Sequence, residues 1–264
     1  MTDTQQEFSN GAEEPVAIVG TTPKEENHEV MGSVLARAIE EGKHEVPENP
    51  EPLVCKPQKL ESWRVFKIMA EFVDGFETIR RYGLAVTFFG TARQSFAPEV
   101  YEAAMQLSGR LAKAGYAVIT GGSAGIMEAA NKGAYDAGGA SIGLNIRLPL
   151  EQSSNKFVTE SMSFDHFFVR KVMLAFASEV YVYFPGGFGT LDEFSEILTL
   201  IQTKKIKRVP LVLYGKEYWT PFIDLFRNHL LLKYHAIDEA DLDLFHVVDS
   251  VDEAYDYIVA NVVC

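Results

Sequence analysis

Hydrophobic positions along this chain follow two alternating patterns. Short runs of branched and aromatic residues without charge predict buried strands, and longer stretches with apolar residues three and four positions apart predict helices. The predicted strands are Leu84–Phe89, Tyr116–Thr120, Ser141–Asn145, Glu179–Phe184, Val209–Leu213 and Phe245–Val248. The predicted helices are Pro98–Ala114, Gly125–Ala137, Asp165–Ala177, Leu191–Gln202, Tyr218–Leu232 and Val251–Val259. Because strands and helices alternate without hairpin signals, we expect a doubly wound parallel sheet of the Rossmann-like α/β class.

The first part of the chain has a different composition. Residues 1–55 are rich in Glu, Pro, Asn, Gln and Thr with few large apolar residues, so we interpret them as an acidic, disordered extension. Residues 56–264 are expected to form a single domain. Within it, Ser62–Arg81 has apolar residues at helical spacing, which predicts an amphipathic helix that packs on the domain.

Charge and cysteine content narrow the function classes. The formal net charge of −13 argues against non-specific binding to nucleic acid, which depends on neutralising phosphates. The two cysteines, Cys55 and Cys264, belong to no C-x-x-C pair and imply neither a disulfide framework nor a zinc site. The chain has no long apolar run and its first residues are polar and acidic. We therefore expect a cytoplasmic protein without a secretion signal or membrane span.

A glycine-rich turn follows the strand that ends at Phe184. Gly186, Gly187 and Gly189 can adopt a positive φ and carry no Cβ that would block a ligand. Thr190 is predicted to be the N-cap of the next helix, with Glu193 at the capping-box position. The turn matches neither the P-loop nor the G-x-G-x-x-G pattern. Because helix N-termini bind phosphate well, the turn predicts a phosphorylated small-molecule ligand.

Two further turns have the same strand–turn–helix arrangement. They are Gly90–Arg93 and Gly121–Gly125, and each follows a predicted strand as Pro185–Thr190 does. In an open parallel sheet, ligands bind beyond the carboxyl ends of the strands, near the point where strand order reverses. We therefore expect the three turns to line one crevice.

The same turns carry a resemblance to a known family. The similar segments are Phe89–Arg93, Thr120–Asn131, Phe168–Met173 and Pro185–Glu193. They resemble the Lonely Guy family of nucleoside 5′-monophosphate phosphoribohydrolases, which is often mislabelled as lysine decarboxylase. The similarity spans about residues 60–260 and is densest over 84–205. One departure is Ser123-Ala124, where close relatives often have Gly-Pro.

The resemblance implies a reaction and a catalytic pair. The family cleaves the N-glycosidic bond of AMP or of a cytokinin riboside monophosphate, and its essential arginine and glutamate correspond to Arg170 and Glu193. The chemistry fits these residue types. A carboxylate can stabilise an oxocarbenium-like transition state or activate water, and an arginine can hold phosphate or orient the glutamate.

Other residues of these segments are candidates for substrate binding. They are Arg93, Gly122, Glu128, Asn131, Lys171, Gly186, Gly187, Gly189 and Thr190. Several of them have a plain structural interpretation as well. Glu128 and Asn131 could meet the sugar or base, or could be helix-surface residues. Arg170 and Lys171 could simply solvate a helix end.

We therefore expect hydrolysis of a purine nucleoside 5′-monophosphate to free base and ribose 5-phosphate, in a homodimer and without a metal or redox cofactor. The alternative is a non-catalytic carrier of a nucleotide or of molybdenum cofactor, which shares this architecture. A lysine decarboxylase is rejected because no lysine stands in a recognisable Schiff-base setting. Neither nucleic acid nor a membrane is an expected partner.

Overall fold

In the part of the chain that the structure describes, seven short strands form one sheet in which every neighbouring pair is parallel. The strands are β1 (Ala85–Phe89), β2 (Ala117–Thr120), β3 (Ser141–Ile146), β4 (Glu160–Phe164), β5 (Val180–Tyr183), β6 (Leu211–Tyr214) and β7 (His246–Val248). Their order in the sheet is β4-β3-β2-β1-β5-β6-β7. This arrangement, in a computed structural model that describes residues 62–93, 97–148 and 154–262, confirms the predicted α/β class. The proposed extension 1–55 lies outside these residues.

Helices lie between the strands along the chain. They are α1 (Ser62–Ile79), α2 (Pro98–Lys113), α3 (Ile126–Asp136), α4 (Phe167–Ala175), α5 (Phe188–Gln202), α6 (Lys216–Leu225) and α7 (Val251–Asn261). A π-helical segment, Phe226–Leu231, continues α6, and a 3₁₀ helix spans Glu239–Asp243. Within the described ranges, no helix is both long and apolar enough to cross a lipid bilayer.

Alternate residues of each central strand pack against opposite layers. In β1, Ala85 and Phe89 belong to the core that holds α4, α5 and α6, whereas Val86 and Phe88 face the core formed with α2, α3 and α7. All five β1 residues are buried, as expected for a parallel strand covered on both faces. The apolar runs seen in the sequence therefore report double-sided burial.

Strand β4 is missing from the sequence prediction. It lies at the edge of the sheet, where its one partner among the described strands is β3, and it alternates polar with apolar residues over positions 161–164. An edge strand has one neighbour and a partly exposed face, so it does not need an uninterrupted apolar run. The period-2 placement of Met162 and Phe164 is the signal that could have identified it.

Strand order reverses between β1 and β5. The chain builds outward from β1 to β4 on one side, then crosses back to place β5 beside β1 and continues to β7. A crevice opens at the carboxyl ends of two neighbouring strands when their connections leave in opposite directions. The turns after β1 and β5 are therefore placed at the ligand-binding position of this fold.

Candidate active site

A cavity of about 380 Å³ lies at this reversal point. Its wall is formed by the ends of β1 and β3, by the turns that follow β1, β2 and β5, and by residues of α3, α4 and α5. Its lining comprises Phe89, Gly90, Thr91, Ala92, Arg93, Gly121, Ser123, Met127, Asn145, Ile146, Phe167, Arg170, Leu174, Gly187, Gly189, Thr190 and Glu193. The three predicted turns thus contribute to one cavity, as the sequence analysis expected.

The turn between β5 and α5 differs in detail from the prediction. Helix α5 begins at Phe188, with Gly187 as its N-cap and no side chain capping it. Thr190 therefore lies inside the first turn, and the predicted Thr190–Glu193 capping box is wrong. The φ prediction is wrong too, because none of Gly186, Gly187 and Gly189 has a positive φ. Helix α5 starts three residues earlier than its apolar pattern indicates.

Two of these glycines face open space. A Cβ added at Gly187 or Gly189 would meet no atom of the described residues within 4 Å, and both glycines line the cavity. At Gly186, in contrast, a Cβ would lie 2.0 Å from Thr190 Oγ1, and its carbonyl accepts a 2.8 Å hydrogen bond from the Tyr218 hydroxyl. Gly186 therefore serves packing, whereas Gly187 and Gly189 leave the N-terminus of α5 open to an anion.

The turn between β2 and α3 needs left-handed backbone. Gly122 and Gly125 have φ values of 71° and 68°, which side-chain-bearing residues rarely adopt. The Gly122 N–H donates to Thr120 Oγ1 at 2.9 Å, and Ile126 N–H donates to the Thr91 carbonyl at 2.9 Å. The second bond ties the turn after β2 to the turn after β1.

Arg170 is held in the cavity wall from several sides. Glu71 of α1 accepts hydrogen bonds from the Asp165 and His166 N–H groups, which fixes the start of α4. The Arg170 Nε donates to the Leu144 carbonyl at 2.7 Å. Burial lowers the pKa of the guanidinium, and the charge of Glu193 opposes that effect. An arginine stays protonated under these conditions, so it is a fixed cation in the cavity.

Gly121 sets the position of the Arg170 guanidinium. A Cβ at Gly121 would stand 2.3 Å from Arg170 Nη2 and 2.9 Å from Met127 Sδ. We expect Gly121→Ala to displace the guanidinium and to lower the activity proposed below at least about tenfold, since a misplacement of about 1 Å can cost up to a hundredfold. Gly83→Ala is the matched control, because a Cβ there would meet no atom of the described residues within 4 Å. Gly115→Ala is unsuitable because Gly115 has a φ of 94°. Unchanged activity in Gly121→Ala would show that Arg170 tolerates the shift.

Glu193 lies one turn into α5 and is 5% exposed. Its Oε2 is buried and accepts no hydrogen bond from any residue within the described ranges. Burial raises the pKa of the Glu193 carboxyl to about 7; Lys171 and Arg170 lower it, and Glu196 and Asp192 raise it. A carboxyl that exchanges its proton near neutral pH in a cavity is suited to acid–base or charge-stabilising chemistry.

Some of the other residues predicted to bind substrate line the cavity and some do not. Arg93 lines the cavity, whereas Gly122, Glu128 and Asn131 do not. Asn131 is fully buried beneath the turn after β2, where its Oδ1 accepts from Thr120 Oγ1 at 2.6 Å and its Nδ2 donates to Ser141 Oγ at 2.8 Å. Asn131 therefore supports the turn in this structure. Its roles and those of the other candidates in substrate binding stay predictions.

Several lining residues were not identified from the sequence. Met127, Ile146, Phe167 and Leu174 give the cavity an apolar side, and Asn145 adds a polar group. Phe167 and Leu174 stand three residues before and four after Arg170, so helical spacing could have placed them on the Arg170 face of α4. Nothing in the sequence near Asn145 marks it, because it comes from the end of a strand without a glycine turn.

The sequence matches a known protein family over half of its length. The family model, described as possible lysine decarboxylase, aligns with residues 127–258. This is the description often applied to the Lonely Guy family, and the match includes the Arg170 and Glu193 segments.

The chain belongs to the Lonely Guy family. It is 33% identical over 86 residues to a probable cytokinin riboside 5′-monophosphate phosphoribohydrolase of Arabidopsis thaliana, a match covering 32% of this chain and 43% of the plant protein. An uncharacterized protein of Archaeoglobus fulgidus is 29% identical over 127 residues, which cover 47% of this chain and 81% of that protein.

A solved structure agrees with the fold. An X-ray structure of a structural-genomics target has a TM-score of 0.52 and 26% identity, covering 67% of this chain and 99% of its own. The molybdenum cofactor carrier protein of Chlamydomonas reinhardtii has 26% identity and the same coverages, with a TM-score of 0.49. That score is too low to support a statement about function. Support for phosphoribohydrolase activity comes instead from membership of the Lonely Guy family, and it holds at the family level.

Proposed function

We propose that this Lonely Guy protein hydrolyses the N-glycosidic bond of a purine nucleoside 5′-monophosphate, AMP or a cytokinin riboside 5′-monophosphate, in the cytoplasm. The products are the free base and ribose 5-phosphate. One observation carries the proposal: the Glu193 carboxyl, the Arg170 guanidinium and the open N-terminus of α5 line a single cavity. A carboxylate, a fixed cation and an anion site are the groups that cleavage of a phosphorylated glycoside requires.

The 5′-phosphate is assigned to the N-terminus of α5. Gly187 and Gly189 leave space there, and the first N–H groups of a helix and its positive dipole end favour an anion. Arg93 lines the same cavity and is a candidate second contact to the phosphate or to the base. This anchoring predicts that the protein prefers monophosphates to nucleosides.

The ribose is assigned to the space beside Glu193. When the N-glycosidic bond breaks, its electron pair leaves with the base, positive charge develops on the sugar, and water adds to the anomeric carbon. The ionised Glu193 carboxylate can stabilise that charge or accept a proton from the attacking water. The hydroxyl of that water stays on the anomeric carbon and its proton ends on the base, which departs as a neutral molecule.

The base is assigned to the apolar side of the cavity. Met127, Ile146, Phe167 and Leu174 provide a surface against which a purine ring can pack. Such a surface accepts adenine and a modified adenine alike, which is why both AMP and a cytokinin riboside monophosphate remain within the proposal.

A panel of nucleoside monophosphates tests the proposal. AMP, GMP, CMP, UMP and a cytokinin riboside monophosphate are incubated with the protein without added metal, and the free base is measured by chromatography. We expect release of adenine or of the cytokinin base above the other bases. Tight binding of a monophosphate without release of any base would favour the carrier alternative.

The homodimer implied by the family resemblance has a candidate interface on α1. Packing buries only part of the apolar surface of α1, and Trp63, Phe66, Met69, Val73 and Phe76 stay exposed along one face. This spacing of three and four residues is that of a helix-pairing seam.

The charges beside this face favour a second copy of the chain as its partner. Arg64 and Lys67 lie in the first half of α1, and Asp74 and Glu77 lie in the second half. Two copies of α1 paired antiparallel about a two-fold axis would bring each positive half against a negative half. We therefore propose that α1 forms the dimer contact.

A matched pair of variants tests this contact. Val73 on α1 is 60% exposed and Val259 on α7 is 49% exposed. Light scattering should give twice the chain mass of 29.4 kDa for the wild type and for Val259→Lys, and a single chain mass for Val73→Lys. A wild-type monomer, or a Val73→Lys dimer, would contradict the assignment.

A further inference from the structure

A cluster of charged side chains lies where α4 meets α5, beside the candidate active site. Lys171 Nζ is 2.5 Å from Asp192 Oδ2, 3.1 Å from Glu196 Oε2 and 3.6 Å from Glu193 Oε1. Its side chain is 17% exposed and does not line the cavity. Lys171 therefore contacts the carboxylates, and one of them is the proposed catalytic group.

The cluster has fewer cations than carboxylates. Helix α4 supplies two cations, Arg170 and Lys171, and α5 supplies three carboxylates, Asp192, Glu193 and Glu196. From β5, the Tyr183 hydroxyl faces the same group and donates to the Glu193 carbonyl at 3.5 Å. Since charges of one sign raise each other's energy in a buried site, one carboxyl is favoured to hold a proton. Glu193 is the most buried of the three, and its Oε2 has no hydrogen-bond partner among the described residues, whereas Glu196 Oε2 lies 3.1 Å from Lys171 Nζ.

We propose that Lys171 and Glu196 are positioning residues that set the charge state of Glu193 in opposite directions. Lys171 favours the ionised form of Glu193 through its ammonium group, and Glu196 favours the protonated form through its carboxylate. Neither residue lines the cavity, so each acts on the substrate only through Glu193. The effect of these two residues on turnover rests on the proposed function, whereas the test of their effect on Glu193 does not.

The effects of the two residues have opposite signs. Lys171 is the largest of the charges that lower the pKa of Glu193, and Glu196 is the largest of those that raise it. Burial acts against the charge on Lys171, but the contacts with Asp192, Glu193 and Glu196 outweigh it and raise the pKa of the ammonium. Lys171 is therefore a permanent cation over the pH range in which Glu193 titrates.

The test follows the ionisation of Glu193 itself. The full-length protein is labelled with ¹³C at the glutamate carboxyl carbons, and the Glu193 signal is assigned by its absence from Glu193→Gln. We expect a midpoint near pH 7 in the wild type, about one pH unit higher in Lys171→Met and about one pH unit lower in Glu196→Gln. Lys171→Arg keeps the cation and should titrate close to the wild type.

Asp192→Asn provides the control for charge changes in general. Asp192 is on the same helix but its side chain is 53% exposed, so removing its charge should move the midpoint much less than Glu196→Gln does. Equal shifts in these two variants, or shifts of the same sign in Lys171→Met and Glu196→Gln, would overturn the proposal. An unmoved midpoint in both variants would overturn it as well.

Turnover of AMP by the same variants separates this inference from the proposed function. The expected result is that the acid limb of kcat/KM moves with the NMR midpoint in each variant. A raised KM in Lys171→Met at every pH, with an unmoved limb, would instead make Lys171 a substrate-binding residue. If no variant, nor the wild type, hydrolyses AMP while the NMR midpoints shift as expected, the proposed function fails and the electrostatic inference stands.

Discussion

Replacing Glu193 or Arg170 with alanine should lower the turnover of AMP at least about a hundredfold, a loss near 2.7 kcal/mol of transition-state stabilisation. Glu193→Ala removes the carboxylate from the cavity, and Arg170→Ala removes the fixed cation. Because both groups are largely buried and held by the surrounding elements, water cannot replace either of them well. Steady-state release of adenine measures the effect.

Glu193→Gln separates a catalytic role from a structural one. It keeps size and hydrogen bonding but removes the charge, so it should be nearly as damaging as alanine if the carboxylate stabilises the sugar or activates water. The wild-type kcat/KM should then rise as the pH passes about 7, where Glu193 ionises. Retained activity in both variants would rule out the catalytic assignment.

Thermal melts provide the control for this prediction. Folding raises the pKa of Glu193 from 4.5 to about 7, so the folded state holds its proton more tightly than the unfolded state. The free energy of unfolding therefore falls as the pH rises from about 4.5 to about 7, by on the order of 3 kcal/mol. Glu193→Gln should therefore melt higher than the wild type at pH 8, with a smaller difference at pH 5.

Removing the phosphate from the substrate should lower kcat/KM by about two orders of magnitude. Adenosine lacks the group assigned to the N-terminus of α5, and each charge-assisted hydrogen bond is worth about 1.5–3 kcal/mol. Part of that binding energy is expressed at the glycosidic bond, so kcat should fall together with kcat/KM. The comparison uses AMP and adenosine at matched concentrations.

A pair of glycine variants locates the phosphate. In Gly189→Ala the new methyl group meets no atom within 4 Å in the part of the chain that the structure describes, so the fold is kept while the ligand loses space. The KM for AMP should rise and the rate on adenosine should not change. Gly186→Ala, with its Cβ 2.0 Å from Thr190 Oγ1, should instead lower the melting temperature. Equal rates of the wild type on AMP and adenosine would contradict the assignment of the phosphate to the N-terminus of α5.

Much of the fold could be predicted because a strand that is buried on both faces needs an uninterrupted run of apolar residues. The predicted strands all exist within one or two residues of their bounds, since a covered parallel strand such as β5 must be apolar throughout. Edge strand β4 has no such apolar run. The predicted helix Tyr218–Leu232 is divided into α6 and a π-helical segment, a backbone detail that apolar spacing does not encode.

The site could be predicted as far as its position, but not as far as its contacts. Glycine turns and the Arg170–Glu193 pair were recognisable because they are local in sequence. The position of Gly121 against Arg170, and of Lys171 against three carboxylates, depends on how α4 docks beside α5 and the β2 turn. Such contacts join segments far apart in the chain, and neither periodicity nor composition reports them.

Product analysis after incubation with AMP tests the central claim most directly. The protein is incubated with AMP without added metal, and adenine, ribose 5-phosphate, adenosine and inorganic phosphate are all measured over time. Cleavage of the N-glycosidic bond predicts that adenine and ribose 5-phosphate appear together in equal amounts, and that Glu193→Ala forms neither at a comparable rate. Adenosine with inorganic phosphate as the products, or AMP bound and recovered intact, would contradict the account.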